Sequence, residues 1–97
     1  MRLIVEAAAR TDIGEAAAWY NEQQTGLGIV FLDAVDAALQ RISIKPGLFS
    51  LRRPDVRGAS LKKFPYTIYF RQRPEFIQVV AVLHQRRDLR ALDERLN

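Results

Sequence analysis

Apolar positions recur with two different periods along this chain, and the switches between those periods outline its elements. The run Arg2-Leu3-Ile4-Val5-Glu6 is short and β-like, and Ala7-Ala8-Ala9 follows with high helix propensity and no turn residue, so a strand is expected to pass directly into a helix. Ala9, Ile13, Ala16, Ala17, Tyr20 and Gln24 then recur at three- and four-residue spacing, which predicts about four helical turns with Asp12, Glu15, Asn21 and Glu22 mainly on the outer side. Trp19 adjoins the edge of this stripe, where an indole either closes the core or joins a partner surface. Thr25-Gly26-Leu27-Gly28 breaks the pattern, because two glycines so close together favour a left-handed cap and a reversal. A second helix is expected from there, with Phe31, Leu32, Val35, Ala38, Leu39 and Ile42 as its buried stripe and Pro46-Gly47 as its stop. Joined by so short a linker, the two helices should pack as an antiparallel hairpin, small alanines of the first facing large residues of the second.

The second half changes to a two-residue period. Leu48 to Asp55 reads as a loop in which Phe49 and Leu51 anchor to the core while Arg52, Arg53 and Pro54 face out. Three β segments follow, roughly Arg57 to Phe64, Tyr66 to Arg71 and Phe76 to His84, and their short connections predict an antiparallel meander. In the middle segment Tyr66, Ile68 and Phe70 should face one side, and Thr67, Tyr69 and Arg71 a polar side. The last segment is apolar at nearly every position, which is expected of a central strand covered on both faces. In the tail, Asp88 is placed as an N-cap, with Leu89, Leu92 and Leu96 on one face of a short helix that should dock on the sheet. The expected fold class is α+β in the order β-α-α-β-β-β-α, a helical hairpin on a small, mainly antiparallel sheet, with residues 1–97 forming one domain.

Composition narrows the function classes. With 48% apolar and 27% charged residues, disordered and low-complexity classes are excluded. The absence of cysteine removes disulfides, thiolate zinc sites and cysteine nucleophiles, and points to a reducing compartment, the cytosol. The longest apolar runs, Gly28 to Leu32 and Val79 to Leu83, fall far short of the roughly 20 residues of a membrane helix, and no signal-peptide core opens the chain, so no membrane partner is expected. His84 is the only histidine, which excludes two-imidazole zinc sites; Asp12, Glu15, Asp33 and Asp36 read as solvated helix faces rather than metal ligands. Gly26-Leu27-Gly28 lacks the further glycine or lysine of a phosphate loop, so neither metal nor cofactor is expected.

Charge is distributed unevenly. Residues 1–48 carry 4 Lys+Arg against 6 Asp+Glu, and residues 49–97 carry 11 against 5, so the basic surface belongs to the strands and the tail. Twelve of the fifteen basic residues are arginine, whose planar fork suits phosphate or carboxylate, and a polyanion or an acidic partner peptide is the leading kind of ligand. Arg57, Lys62, Lys63, Tyr69, Arg71, His84 and Arg87 lie on or beside the meander, and adjacent strands are expected to bring several onto one cationic face. Cleaving RNA through its 2′-hydroxyl needs a base, a proton donor and cations around the phosphate, roles that His84, Tyr69 and Arg71 or Arg87 could fill. The alternative for His84 is structural, closing the strand-to-helix turn through backbone hydrogen bonds.

Several of these segments, in this order, resemble the RelE/ParE superfamily of bacterial toxins from type II toxin–antitoxin modules. They are Asp12-Ile13 with Trp19-Tyr20, Gly26-Leu27-Gly28 before Phe31-Leu32, Pro46, Lys63-Phe64-Pro65-Tyr66 with Ile68-Tyr69-Phe70, and Val82-Leu83-His84-Gln85-Arg86-Arg87-Asp88. The resemblance spans nearly the whole chain. It implies a cytoplasmic bacterial toxin neutralised by a cognate antitoxin, whose acidic or amphipathic C-terminal segment folds on binding in a toxin–antitoxin hetero-oligomer. Phe64-Pro65-Tyr66 and Leu83-His84-Gln85-Arg86-Arg87 look more like the ParE branch, which implies inhibition of DNA gyrase without enzymatic chemistry. The RelE branch, which cuts mRNA on the ribosome, is the alternative; Arg71, His84 and Arg87 match positions that serve phosphate binding or proton transfer there, with Tyr69 as the remaining candidate. An inactive member that only binds its antitoxin is a third reading. The residues expected to contact target or antitoxin are Trp19, Arg57, Lys62, Lys63, Arg71, His84, Arg86 and Arg87.

Overall fold

With only Glu6 between them, strand β1 (Arg2–Val5) runs into helix α1 (Ala7–Gln23) in the computed structural model, which describes residues 1–97. Gly26, at φ 93°, supplies the left-handed residue that turns the chain back into α2 (Leu27–Ile44). Gly28 lets the two helices approach closely, since a Cβ there would stand 2.6 Å from the Ala17 carbonyl oxygen. A 3₁₀ turn at Pro46–Leu48 ends the hairpin, and β2 (Ser50–Arg53), β3 (Val56–Ser60), β4 (Tyr66–Gln72), β5 (Phe76–His84) and α3 (Leu89–Leu96) follow.

The strands form one mixed sheet in the order β1-β5-β4-β3-β2. β1 lies parallel to β5, Arg2 opposite Phe76 and Val5 opposite Val79, while the other pairings are antiparallel. The helical hairpin covers one face, where Phe31, Val35, Ala38 and Ile42 of α2 meet Ile68, Phe70, Ile77 and Val79 of the sheet. α3 covers the other face through Leu92, which is fully buried against a cluster containing Val56, Tyr69, Val80 and Leu83. Asp88 caps α3 as its position suggests, its carboxylate accepting the Arg90 N–H at 2.7 Å.

The α+β architecture and the packed hairpin agree with the sequence pattern, and several local expectations do not. The segment expected to be a loop contains β2, an edge strand that pairs its backbone with β3 and needs few apolar side chains. Within it Leu51 is exposed rather than anchored, and Arg53 turns inward to Asp93. β5 is interior, but the middle strand is β4, because β1 takes the place beyond β5. The expected polar side of β4 is covered: Thr67 is buried, and Tyr69 is buried in the cluster that Leu92 of α3 completes. Leu32, expected in the α2 stripe, is exposed, as the stripe follows Phe31, Val35, Ala38 and Ile42. Asp12, expected on a solvated face, is instead an anchoring group between three elements.

Candidate functional site

β5 outruns its parallel neighbour. β1 makes its last contacts at Val79, where the Glu6 N–H donates to the Val79 carbonyl at 3.0 Å, so the outer edge of β5 beyond that point has no strand beside it. Asp12 and Arg95 finish that edge: the Asp12 carboxylate accepts the Val82 N–H at 2.9 Å, and the Arg95 guanidinium donates to the Val80 carbonyl at 3.1 Å. The two side chains also bind each other through a fork of 2.8 and 3.0 Å. The Asp12 hydrogen bond holds the Arg95 guanidinium above its ordinary pKa, against the opposing effect of burial.

Past this clamp the surface opens into a groove of about 600 Å³ between the outer wall of α1 and the end of the β4–β5 pair. Trp19 stands on the α1 wall with 55% of its surface exposed, its ring edge-on to Tyr20 at 5.1 Å. Tyr66, paired with His84 across the sheet, supplies the floor, and the two rings meet at 5.2 Å. Burial pushes the Tyr66 phenol above its ordinary value, with Arg87 pulling the other way; burial and then neighbouring Tyr66 raise Tyr20. Both phenols are therefore neutral at physiological pH and present ring faces and O–H groups rather than charge.

Beyond His84 a tight turn sets the cationic rim. The His84 Nδ1 accepts the Arg86 N–H at 3.0 Å, its carbonyl accepts the Arg87 N–H at 3.0 Å, and the Gln85 N–H donates to the Pro65 carbonyl at 2.8 Å. The imidazole thus closes the strand-to-helix turn, the structural role foreseen as one of its two alternatives. Arg86 and Arg87 line the groove, are exposed, and take part in no ion pair, whereas Arg53, Arg71, Arg90 and Arg95 are all matched with carboxylates.

Of the residues singled out by sequence, Trp19, His84, Arg86 and Arg87 come together here. Lys62 and Lys63 are exposed in the turn before Tyr66, at the same end of the sheet, Lys63 with a left-handed φ of 70°. Arg57 and Arg71 are elsewhere, so the single cationic face expected from the sequence does not form. Arg57 lies opposite Phe70 and donates to the Phe49 carbonyl at 2.7 Å, while Arg71 is paired with Asp55 at 3.0 Å. Arg71 is five residues along β4 from Tyr66, about 17 Å at a strand rise of ~3.3 Å. It shares with Tyr69 the face under α3, whereas Tyr66 and His84 belong to the hairpin side. Tyr69, Arg71, His84 and Arg87 therefore do not converge on one point.

Sequence reasoning missed Asp12 and Tyr66 as site-building groups. Asp12 sits three residues after Ala9 and four before Ala16, both buried, and that spacing places it at the margin of the stripe. No cluster of three His, Asp or Glu side chains could hold a metal ion, and no helix is long and apolar enough to cross a membrane.

Comparison with known proteins adds to this geometry. The family model described as ParE toxin of type II toxin-antitoxin system, parDE, matches residues 3–89. A chain of the chromosomal ParDE TA system from P. aeruginosa is similar in structure, with a TM-score of 0.66 at 19% identity, covering 87% of this chain and 95% of that one; at this identity the likeness concerns the fold. No curated protein matches the chain.

Proposed function

The chain belongs to the ParE toxin family of type II toxin–antitoxin systems, and from that membership we propose that it arrests growth by inhibiting DNA gyrase and is held silent by a cognate antitoxin. The observation that carries this over mRNA cleavage is the dispersal of the candidate nuclease groups. Cleavage at phosphate needs a proton-transfer group and stabilising cations within hydrogen-bond reach of one reacting centre. Tyr69 is buried beneath α3, Arg71 is matched with Asp55 on that same face, and the His84 Nδ1 is occupied by the Arg86 N–H. A non-enzymatic block of a large target makes no such demand; it needs a rigid surface. The excess of base over acid in residues 49–97 supports an antitoxin with an acidic C-terminal segment, which gains charge-assisted hydrogen bonds as it orders. A cytoplasmic toxin–antitoxin hetero-oligomer follows from the same reading.

Purified chain added to gyrase in a supercoiling assay, and to ribosomes carrying mRNA in parallel, tests the proposal. Supercoiling should fall while the mRNA stays intact, and His84→Ala and Arg71→Ala should both retain growth arrest. Cut mRNA, or supercoiling left unchanged by the well-folded chain, would overturn it.

A further inference from the structure

The groove beside Trp19 combines features that the fold itself does not require. An indole more than half exposed on a helix contributes little to the core, and Arg86 and Arg87 are exposed guanidinium groups that enter no ion pair of the fold. The volume, about 600 Å³, lies within the roughly 300–1,000 Å³ of pockets that bind compact ligands. Its walls differ in character: Trp19 and Tyr66 are aromatic, the Arg86–Arg87 rim is cationic, and the α1 wall carries Glu15. A strand of nucleic acid presents a negative charge at every nucleotide and would set phosphates against Glu15 as well as against the arginines. One apolar group flanked by a few carboxylates matches the arrangement better, because its uncharged part meets the aromatic walls while its charges reach only the rim.

We propose that this groove is an anchor pocket for an acidic peptide, taking one aromatic side chain between Trp19 and Tyr66 while the neighbouring carboxylates bind Arg86 and Arg87. The inference rests on the reading above that the silencing partner is an acidic segment, and it assigns that partner a specific recognition element, an aromatic residue set among Asp or Glu. Most of the binding energy of an interface comes from a few such buried anchors, whereas exposed charge pairs mainly steer and orient. The aromatic residue, more than the net charge of the peptide, therefore sets affinity.

Trp19 is the only tryptophan in the chain, so its fluorescence reports on the groove in the intact protein without a label. The probes are two short capped peptides of Glu and Asp, one built around a central Phe and the other around Ala, titrated at low salt. The Phe peptide should shift Trp19 emission saturably, replacing Phe with Ala should weaken binding about tenfold or more, and the double variant Arg86→Ala/Arg87→Ala should weaken the Phe peptide by a similar factor with its circular dichroism unchanged. Equal affinity of the two peptides, no saturable change up to about 1 mM, or unaltered binding to the arginine variant would overturn the pocket. Tighter binding of a short thymidine oligonucleotide than of the Phe peptide would overturn it in favour of nucleic acid. Gyrase supercoiling measured on the same preparation separates the two readings: uninhibited gyrase with a preserved Phe preference removes the target proposal alone, and inhibited gyrase with no preference removes the pocket alone.

Discussion

The two covered faces of the sheet are closed by different physics. On the hairpin side, fifteen buried residues form one cluster, and Phe31 at its centre meets Tyr20, Phe64 and Tyr66 with ring centroids 5.2–5.3 Å apart. On the other side the buried cluster has six members, and α3 brings only Leu92 fully into it. What the smaller face lacks in apolar area it makes up in fastening: Arg53 forks onto Asp93 at 2.7 and 2.9 Å, Arg95 forks onto Asp12, and Asp88 caps the first turn. A helix of eight residues is too short to persist alone in water, so its order depends on these contacts. Apolar burial is insensitive to pH and salt to first order, whereas ion pairs are directional and titratable. The hairpin face should therefore fail only with the whole molecule, and the α3 face should open first and locally.

The largest effect that tests this contrast is Phe31→Ala. Emptying the centre of the aromatic cluster should cost about 3–5 kcal/mol, and the loss should appear as a lower urea midpoint for the whole domain. Protection of α1 and β5 amides should fall by the same amount. A loss confined to α2, with the sheet as stable as before, would mean that this face is not the cooperative core. Leu92→Ala makes the opposite test. It removes a fully buried side chain too, but from a helix that can shift into the space, so about 2–3 kcal/mol is expected, toward the low end of the range for such truncations. Hydrogen exchange should show that loss concentrated in residues 89–96.

The same contrast explains which parts of the fold were legible in the sequence. The hairpin face is built from local periodicity, so Phe31, Val35, Ala38 and Ile42 announce it, and Gly26 and Pro46 mark its ends through backbone constraints that need no partner. The α3 face is built from pairings distant in sequence. Arg95 and Asp12 lie eighty-three residues apart, and Arg53 and Asp93 forty, so neither pattern nor propensity links them. The burial of Tyr69 depends on that distant cover, which is why the far side of β4 reads as polar. β2 was illegible for a simpler reason: Ser50-Leu51-Arg52-Arg53 has one apolar residue, and it is a strand because its backbone finds β3. Of the residues that stand out in the sequence by type, Trp19 at the edge of the α1 stripe and His84, Arg86 and Arg87 at the end of β5 lie together along the groove. Arg71 does not join them, because strand alternation sets Arg71 and Tyr69 on the side of β4 opposite Tyr66.

A double-mutant cycle on Asp12 and Arg95 sharpens the comparison at the next level. Asp12→Ala leaves the Val82 N–H and a mostly enclosed guanidinium without their acceptor, and Arg95→Met keeps the apolar stem but removes the donors to Asp12 and Val80. Each single change should destabilise by about 1–3 kcal/mol. The pair should be strongly non-additive, with a coupling of about 0.5–3 kcal/mol, because either substitution already breaks the shared fork. Urea unfolding of the four proteins gives the coupling directly. Additive losses would mean that Asp12 and Arg95 act on separate elements, and that β5's outer edge rather than α3 is what each supports.

The smallest effect is the response to acid, and it bears most directly on the difference between the faces. The Arg53 hydrogen bond holds the Asp93 carboxyl below its ordinary value, and the Arg90 side chain and then its backbone N–H do the same for Asp88. A carboxyl whose pKa is lower in the folded state contributes stability that is complete above its unfolded value and disappears as pH falls through the folded one. Both groups are on α3, so the helix should loosen below about pH 4 while the hairpin keeps its order. Because both carboxylates face solvent the effect is small and shrinks with added salt. Amide exchange followed from about pH 6 to about pH 3 should show protection of α3 declining before that of α1, after correction for the intrinsic exchange rate. Asp93→Asn should flatten this decline, since the amide offers Arg53 no titrating partner. If α1 and α3 instead lose protection together, the two faces form one cooperative unit and the ion pairs merely decorate it.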